Sequence, residues 1–289
     1  MADEETKRKI DRFIKTDNRI FASNYTINDD LSIDAEDVFI DDRGKGFIGR
    51  IPIRFGTVRG GFHLKGNKQV NSLRGCPETV GGDFFCADNG LTSLEYSPTE
   101  VRGRYDCNLN PLKSLEGCTQ NIGSDFFCNG TGITSLKGAP SKLNGEFHAS
   151  HNKLTNLEGL PNGISHRISV SNNQLTSLKG MSDTAPRILD ISYNPNLYTI
   201  DYYPRNFNKR DSINCKNTPI SLIYIDRIFG FDEIGSLKAE TVDLMRICKI
   251  FVPDTNKLKS KNLKYFYSLM DRKLTEEDIK RIETQYEIV

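Results

Sequence analysis

The sequence has no tryptophan, only 4 histidines and 4 methionines, and no excess of either charge: 39 basic residues stand against 38 acidic ones, a formal net charge of +1. That balance removes any global attraction to nucleic acid or anionic membrane and leaves only local patches to act on such partners. Long apolar runs are also missing; none approaches the roughly 20 residues a membrane-spanning helix needs. The opening MADEETKRKIDRFIK is charged and lacks the apolar stretch of a signal peptide. The 7 cysteines are odd in number, and without an export signal they read as reduced thiols of a cytoplasmic protein. Hydrophobic content is 37% over 289 residues, low for a compact globule and suited to a thin, solvated architecture.

What the chain has instead is repetition, with a period of about 21 residues. GGDFFCADNGLTSLEYSPTEV (Gly81 to Val101) is followed by RGRYDCNLNPLKSLEGCTQNI, GSDFFCNGTGITSLKGAPSKL and NGEFHASHNKLTNLEGLPNGI. Each cycle opens on two apolar residues flanking a variable one: Val38/Ile40, Phe62/Leu64, Phe84/Cys86, Tyr105/Cys107, Phe126/Cys128, Phe147/Ala149, Ile168/Val170, Leu189/Ile191 and Ile213/Cys215. Period-2 alternation over so short a span predicts a very short strand with the flanking pair inward. Then comes Asn67, Asn89, Asn110, Thr131, Asn152, Asn173, Asn194 or Thr218. Backbone groups inside such a turn have no strand partner, so these side chains are expected to form a hydrogen-bond ladder from coil to coil. Two further apolar slots, such as Leu91/Leu94 and Leu112/Leu115, lead to corners such as Gly75-Cys76-Pro77 and Gly138-Ala139-Pro140, where Pro argues for an extended convex side. Each coil closes on Val58, Val80, Val101, Ile122, Leu143 or Ile164.

The flanks read differently. Residues 4 to 15 predict a short amphipathic helix carrying Ile10, Phe13 and Ile14, and residues 16 to 37 read as polar and irregular. From Thr218 the pattern turns helical: Thr218-Pro219 to Gly230, Ser236 to Phe251, Ser260 to Arg272, and a last helix from the capping box Thr275-Glu276-Glu277-Asp278. The expected domains are an N-terminal helix and capping segment over 1–36, a solenoid over 37–217 and a helical cap over 218–289.

The unit GGxFxCxxNxLTSLEGxPxxV, seen in VGGDFFCADNGLTSLEYSP, IGSDFFCNGTGITSLKGAP, LNGEFHASHNKLTNLEGLP and ISHRISVSNNQLTSLKG, resembles the leucine-rich repeat proteins common in tailed bacteriophages. The resemblance covers residues 37 to 225, with departures at the corners Cys118-Thr119 and Ser182-Asp183. It implies a leucine-rich repeat solenoid of short parallel strands with an extended convex side and a small helical cap, and a recognition module for a host or phage protein in the bacterial cytoplasm.

The middle residue of each strand should point to the concave face: Phe39, His63, Phe85, Asp106, Phe127, His148, Ser169, Asp190 and Asn214, preceded by Asp83, Arg104, Asp125, Glu146 and Arg167. Outward aromatics among mixed charges are the composition of a protein-binding hot spot. The candidate site is therefore Asp83, Phe85, Arg104, Asp106, Asp125, Phe127, Glu146, His148 and Arg167, with Phe85 and Phe127 as apolar anchors. No catalytic, cofactor or metal site is expected. Glu146, His148 and His151 fill ordinary repeat slots, and Cys86, Cys107, Cys128 and Cys215 are read as small core residues pointing away from the histidines. Gly44-Lys45-Gly46 lacks the context of a phosphate loop, and the lysines from Lys257 onward read as a solvated helix face. The functional expectation is a non-enzymatic interaction module that inhibits or redirects its partner. The alternative is a structural component of a virion or assembly complex; nucleic-acid binding and catalysis rank below both.

Overall fold

Where two apolar residues straddle a variable one, the chain forms strands of two to four residues stacked in parallel register. The computed structural model describes residues 3–41, 47–182, 186–203, 212–220, 237–238, 255–269 and 273–289. The fold is a parallel β-solenoid with few helices and a small C-terminal helical region. It divides into two compact units, one comprising residues up to Ala149 with Pro161–Ile164, the other Ser150–Leu160 and residues from Ser165 onward.

In the first unit the strands Val38–Asp41, Phe62–Lys65, Phe84–Phe85, Tyr105–Asp106, Phe126–Phe127 and Phe147–His148 pair in parallel, each residue opposite its equivalent one coil away. The inward slots are filled as the alternation demands, with Phe62, Leu64, Phe84, Cys86, Tyr105, Cys107, Phe126, Cys128, Phe147 and Ala149 all fully buried. Their rings form an interior column, with centroids 5.5 Å apart from Phe55 to Phe62, 5.6 Å from Phe62 to Phe84, 5.1 Å from Phe84 to Tyr105, 5.6 Å from Tyr105 to Phe126 and 5.7 Å from Phe126 to Phe147. Each such pair adds about 0.5–1.5 kcal/mol beyond burial. Tyr105 is the one phenol in the column, and its hydroxyl is satisfied by Ser97 Oγ at 2.7 Å. In the second unit the strands Arg167–Ser169, Ile188–Asp190 and Ser212–Asn214 continue the pattern with aliphatic inward residues, Ile168, Leu189 and Ile213.

The asparagine ladder forms. Asn110 Oδ1 accepts the backbone N–H groups of Asn89 and Leu91 at 3.2 Å each, and its Nδ2 donates to the carbonyls of Cys86 at 2.8 Å and Cys107 at 3.0 Å. Asn194 repeats this, accepting from Leu175 N–H and donating to Val170 and Ile191. Thr131 and Thr218 keep the donation to their own coil, to Cys128 at 3.1 Å and Cys215 at 2.6 Å. Asn67 is buried at the start of the ladder, and its side-chain amide has no hydrogen-bond partner among the described residues.

Two regions depart from the sequence expectation. The coil-closing residues are not merely extended: Arg54–Val58, Thr79–Val80, Glu100–Val101 and Asn121–Ile122 form a second parallel ladder. Residues 16 to 37 are not irregular either. Ser32–Ala35 joins that second ladder beside Arg54–Val58, Thr26–Ile27 folds back on it antiparallel, and Ile20–Ala22 pairs antiparallel with Val38–Asp41. The antiparallel strand covers an edge that would otherwise offer unpaired backbone groups. Helix α1 (Glu4–Thr16), with Asp3 as N-cap, buries Ile14.

The C-terminal end is also closed by a strand: Leu237–Lys238 pairs antiparallel with Ser212–Asn214, where a helix from Ser236 was expected. The rest of that expected helix, and the expected helix residues from Ser221 to Gly230, lie outside the described residues, as do Met270, Arg272, Cys248 and Gly44-Lys45-Gly46. Helices α2 (Ser260–Leu269) and α3 (Glu276–Glu283) form where capping and periodicity place them, α3 with a reciprocal Thr275–Asp278 capping box. Leu263, Phe266, Tyr267 and Ile282 are buried. Tyr286 ties this region to the coils of its unit, its hydroxyl donating to Tyr198 O at 2.8 Å. No helix among the described residues is long and apolar enough to cross a membrane.

Candidate protein-binding face

Parallel in-register pairing sets equivalent side chains about 4.8 Å apart, close to ring-stacking distance. On the outward face of the first unit this aligns Phe39, His63, Phe85, Asp106, Phe127 and His148 in one row. Phe39 stacks on His63 at 4.4 Å and 13°, His63 meets Phe85 at 4.9 Å and 37°, and Phe127 stacks on His148 at 4.7 Å and 16°. Phe21, on the antiparallel capping strand, extends the row to Phe39 at 6.1 Å. Phe21 is 59% exposed and Phe39 44%, whereas Phe85 and Phe127 are half-buried. The last two thus have a packing partner that sequence reading does not assign them, a histidine on a neighbouring coil. A hollow of about 400 Å³ opens at the capped end, lined by Arg19, Phe21, Phe39, Asp41, His63 and Lys65 among others.

The column preceding the strands has a structural task. Asp83 Oδ1 accepts the backbone N–H of Arg104 at 2.7 Å, and Asp125 Oδ1 accepts that of Glu146 at 2.8 Å. Each carboxylate thereby pins the corner of the next coil. Arg104 Nε lies 3.2 Å from Asp125 Oδ2, and Glu146 Oε2 lies 2.9 Å from His148 Nε2. These charges are held in place by the chain itself, which presents them in fixed positions. Arg167, the remaining candidate, is half-buried on strand Arg167–Ser169 of the second unit. The first unit therefore gathers Asp83, Phe85, Arg104, Asp106, Asp125, Phe127, Glu146 and His148 on one face. Sequence reading misses Phe21, whose only signal is the apolar alternation of Ile20 and Ala22 around it.

Burial lowers the pKa of His63 below its ordinary 6.5, with Asp83 and Asp37 pulling weakly the other way. Burial raises that of Asp106 above 3.8, opposed by the Asn108 N–H and by Lys65. The unfolded chain therefore takes up more protons at His63 than the folded one as pH falls below 6.5. Its contribution to stability is complete above that pH and is lost as pH falls through the folded value. We expect the thermal midpoint of the wild type to decline more steeply below pH 6.5 than that of His63→Phe, which extends the ring row; parallel declines would refute the assignment.

The cysteines are core residues: Cys86, Cys107, Cys128 and Cys215 are fully buried, and desolvation raises each thiol, that of Cys215 to about 12. Among the described residues no group of three or more His, Cys, Asp or Glu side chains is placed to hold a metal ion. His151 is exposed in a left-handed turn, φ 58°, within the second unit. Comparison with family models, with curated proteins and with solved structures finds no match.

Proposed function

We propose that this protein is a non-enzymatic protein–protein interaction module that grips its partner with the outward face of the first unit's sheet. The observation that carries the reading is the row Phe39, His63, Phe85, Asp106, Phe127 and His148, an aromatic strip on a regular strand lattice with charges fixed beside it. Rigid aromatics lose little conformational entropy on binding, and a prearranged surface avoids the ordering cost of association. The repeat resemblance supports a phage-encoded protein in the host cytoplasm, with a host or phage protein as partner and inhibition or adaptor action as the consequence.

The double variant Arg104→Glu with Phe127→Ala removes one ring and breaks the pair with Asp125. Its affinity for the partner captured from infected cells should fall by roughly 30-fold or more, the size of a hot-spot loss. Wild-type affinity in a variant with an unchanged melting curve would move the interface elsewhere. A second reading, a structural component of a virion or assembly complex, is favoured by Tyr265, 55% exposed on helix α2. Stoichiometric presence in purified particles would support it.

A further inference from the structure

Asp106 interrupts the aromatic row. Register places it between Phe85 and Phe127 on adjacent strands, all three side chains outward. The other carboxylates beside it are engaged: Asp83 holds the Arg104 N–H, Asp125 holds both the Glu146 N–H and the Arg104 side chain, and Glu146 pairs with His148. Asp106 differs. Its Oδ1 accepts the Asn108 N–H at 2.9 Å, which fixes the orientation of the carboxylate, while its Oδ2 has no hydrogen-bond partner among the described residues. It is half-buried, and the cation whose charge acts on it is the exposed Lys65. On this face the acids Asp41, Asp83, Asp106, Asp125 and Glu146 outnumber the bases Arg19, Lys65 and Arg104.

A partly desolvated carboxylate with one free oxygen, flanked by two phenyl rings, matches one kind of guest. A lysine ammonium or arginine guanidinium would neutralise the charge, satisfy the open oxygen and meet the ring faces, where cation–π attraction adds to the ion pair. An acidic guest would meet net negative charge, and a purely apolar one would leave Asp106 buried without compensation. We propose that the partner presents a basic side chain of a polypeptide to Asp106 between Phe85 and Phe127, an inference that rests on the protein-binding reading above. The surrounding acids then favour a segment with further lysine or arginine on its flanks.

The test uses a display library of random linear peptides selected on the immobilised full-length protein, followed by affinity measurement on wild type, Asp106→Asn and Phe127→Ala. Asn keeps the acceptor for Asn108 N–H, so Asp106→Asn should melt no lower than wild type. The expected result is enrichment of peptides with Lys or Arg at one fixed position, and affinity at least about 10-fold weaker for Asp106→Asn, the loss typical of an uncompensated interface charge pair. Replacing that peptide residue with norleucine should weaken binding equally on wild type and have no added effect on Asp106→Asn. Peptides that need Phe127 but carry no fixed basic residue, and bind Asp106→Asn normally, would overturn this inference and leave the protein-binding reading intact. Peptides indifferent to both substitutions, or no binders at all, would overturn both.

Discussion

Gly138→Ala should destabilise the protein by about 3–5 kcal/mol, while Gly132→Ala, in the same coil, should cost only about 1–2 kcal/mol. Both glycines have positive φ, 89° at Gly138 and 82° at Gly132, so both substitutions incur the left-handed penalty of an L-residue. They differ in what a methyl group would meet. At Gly132 nothing lies within 4 Å, whereas at Gly138 the added carbon would sit 2.3 Å from Glu116 N and 2.5 Å from Leu115 C. Those atoms are the backbone of the preceding coil, which cannot rotate aside as a side chain does. The same slot is occupied by Gly75, Gly117, Gly159 and Gly180, all with positive φ, but also by Tyr96 and Tyr202 at φ 68° and 70°, so a Cβ is not barred from the slot as such and the cost at Gly138 lies in its close approach to Glu116 and Leu115. Urea unfolding of the two variants checks the difference; equal losses would mean that the corner is not packed coil on coil.

The ladder carries the second large effect. Asn110→Leu keeps the number and branching of the side-chain heavy atoms and removes every hydrogen bond. Asn89 N–H, Leu91 N–H and Cys107 O would then be left without the bonds that Asn110 supplies. Each stranded buried group costs about 1–3 kcal/mol, so a loss of roughly 3–6 kcal/mol is expected after partial relaxation. Asn110→Thr should recover part of it, because Thr131 shows how a hydroxyl serves the equivalent carbonyl, donating to Cys128 O. Chemical denaturation of the three proteins should rank them wild type, Thr, Leu. Similar stability for Leu and Thr would deny the ladder its role.

Those features were legible because the repeat multiplies each signal. Phe84/Cys86, Tyr105/Cys107 and Phe126/Cys128 alternate identically in successive units, and the buried asparagine returns at a fixed offset. The second ladder was not legible: Thr79–Val80, Glu100–Val101 and Asn121–Ile122 each offer one inward apolar residue, too little for a period to register. The capping strands were hidden by composition, since Ile20–Ala22 and Ser32–Ala35 sit among Asn and Asp, which favour turns. On the candidate face the row of outward residues could be read from parity alone. The backbone bonds of Asp83 and Asp125 could not, because a carboxylate before a strand looks the same whether it faces solvent or caps the next coil. The glycines one coil on, Gly103 against Asp83 and Gly145 against Asp125, were the available hint of close coil approach.

On the proposed reading, the aromatic row meets the partner. Hydroxyl-radical footprinting of the protein alone and in complex with its captured partner tests this most directly, because phenylalanine and tyrosine rings report their own exposure. Phe39, Phe85 and Phe127 should be protected in the complex, with Tyr265 unchanged. Protection of Tyr265 and unaltered labelling of those three rings would contradict that reading.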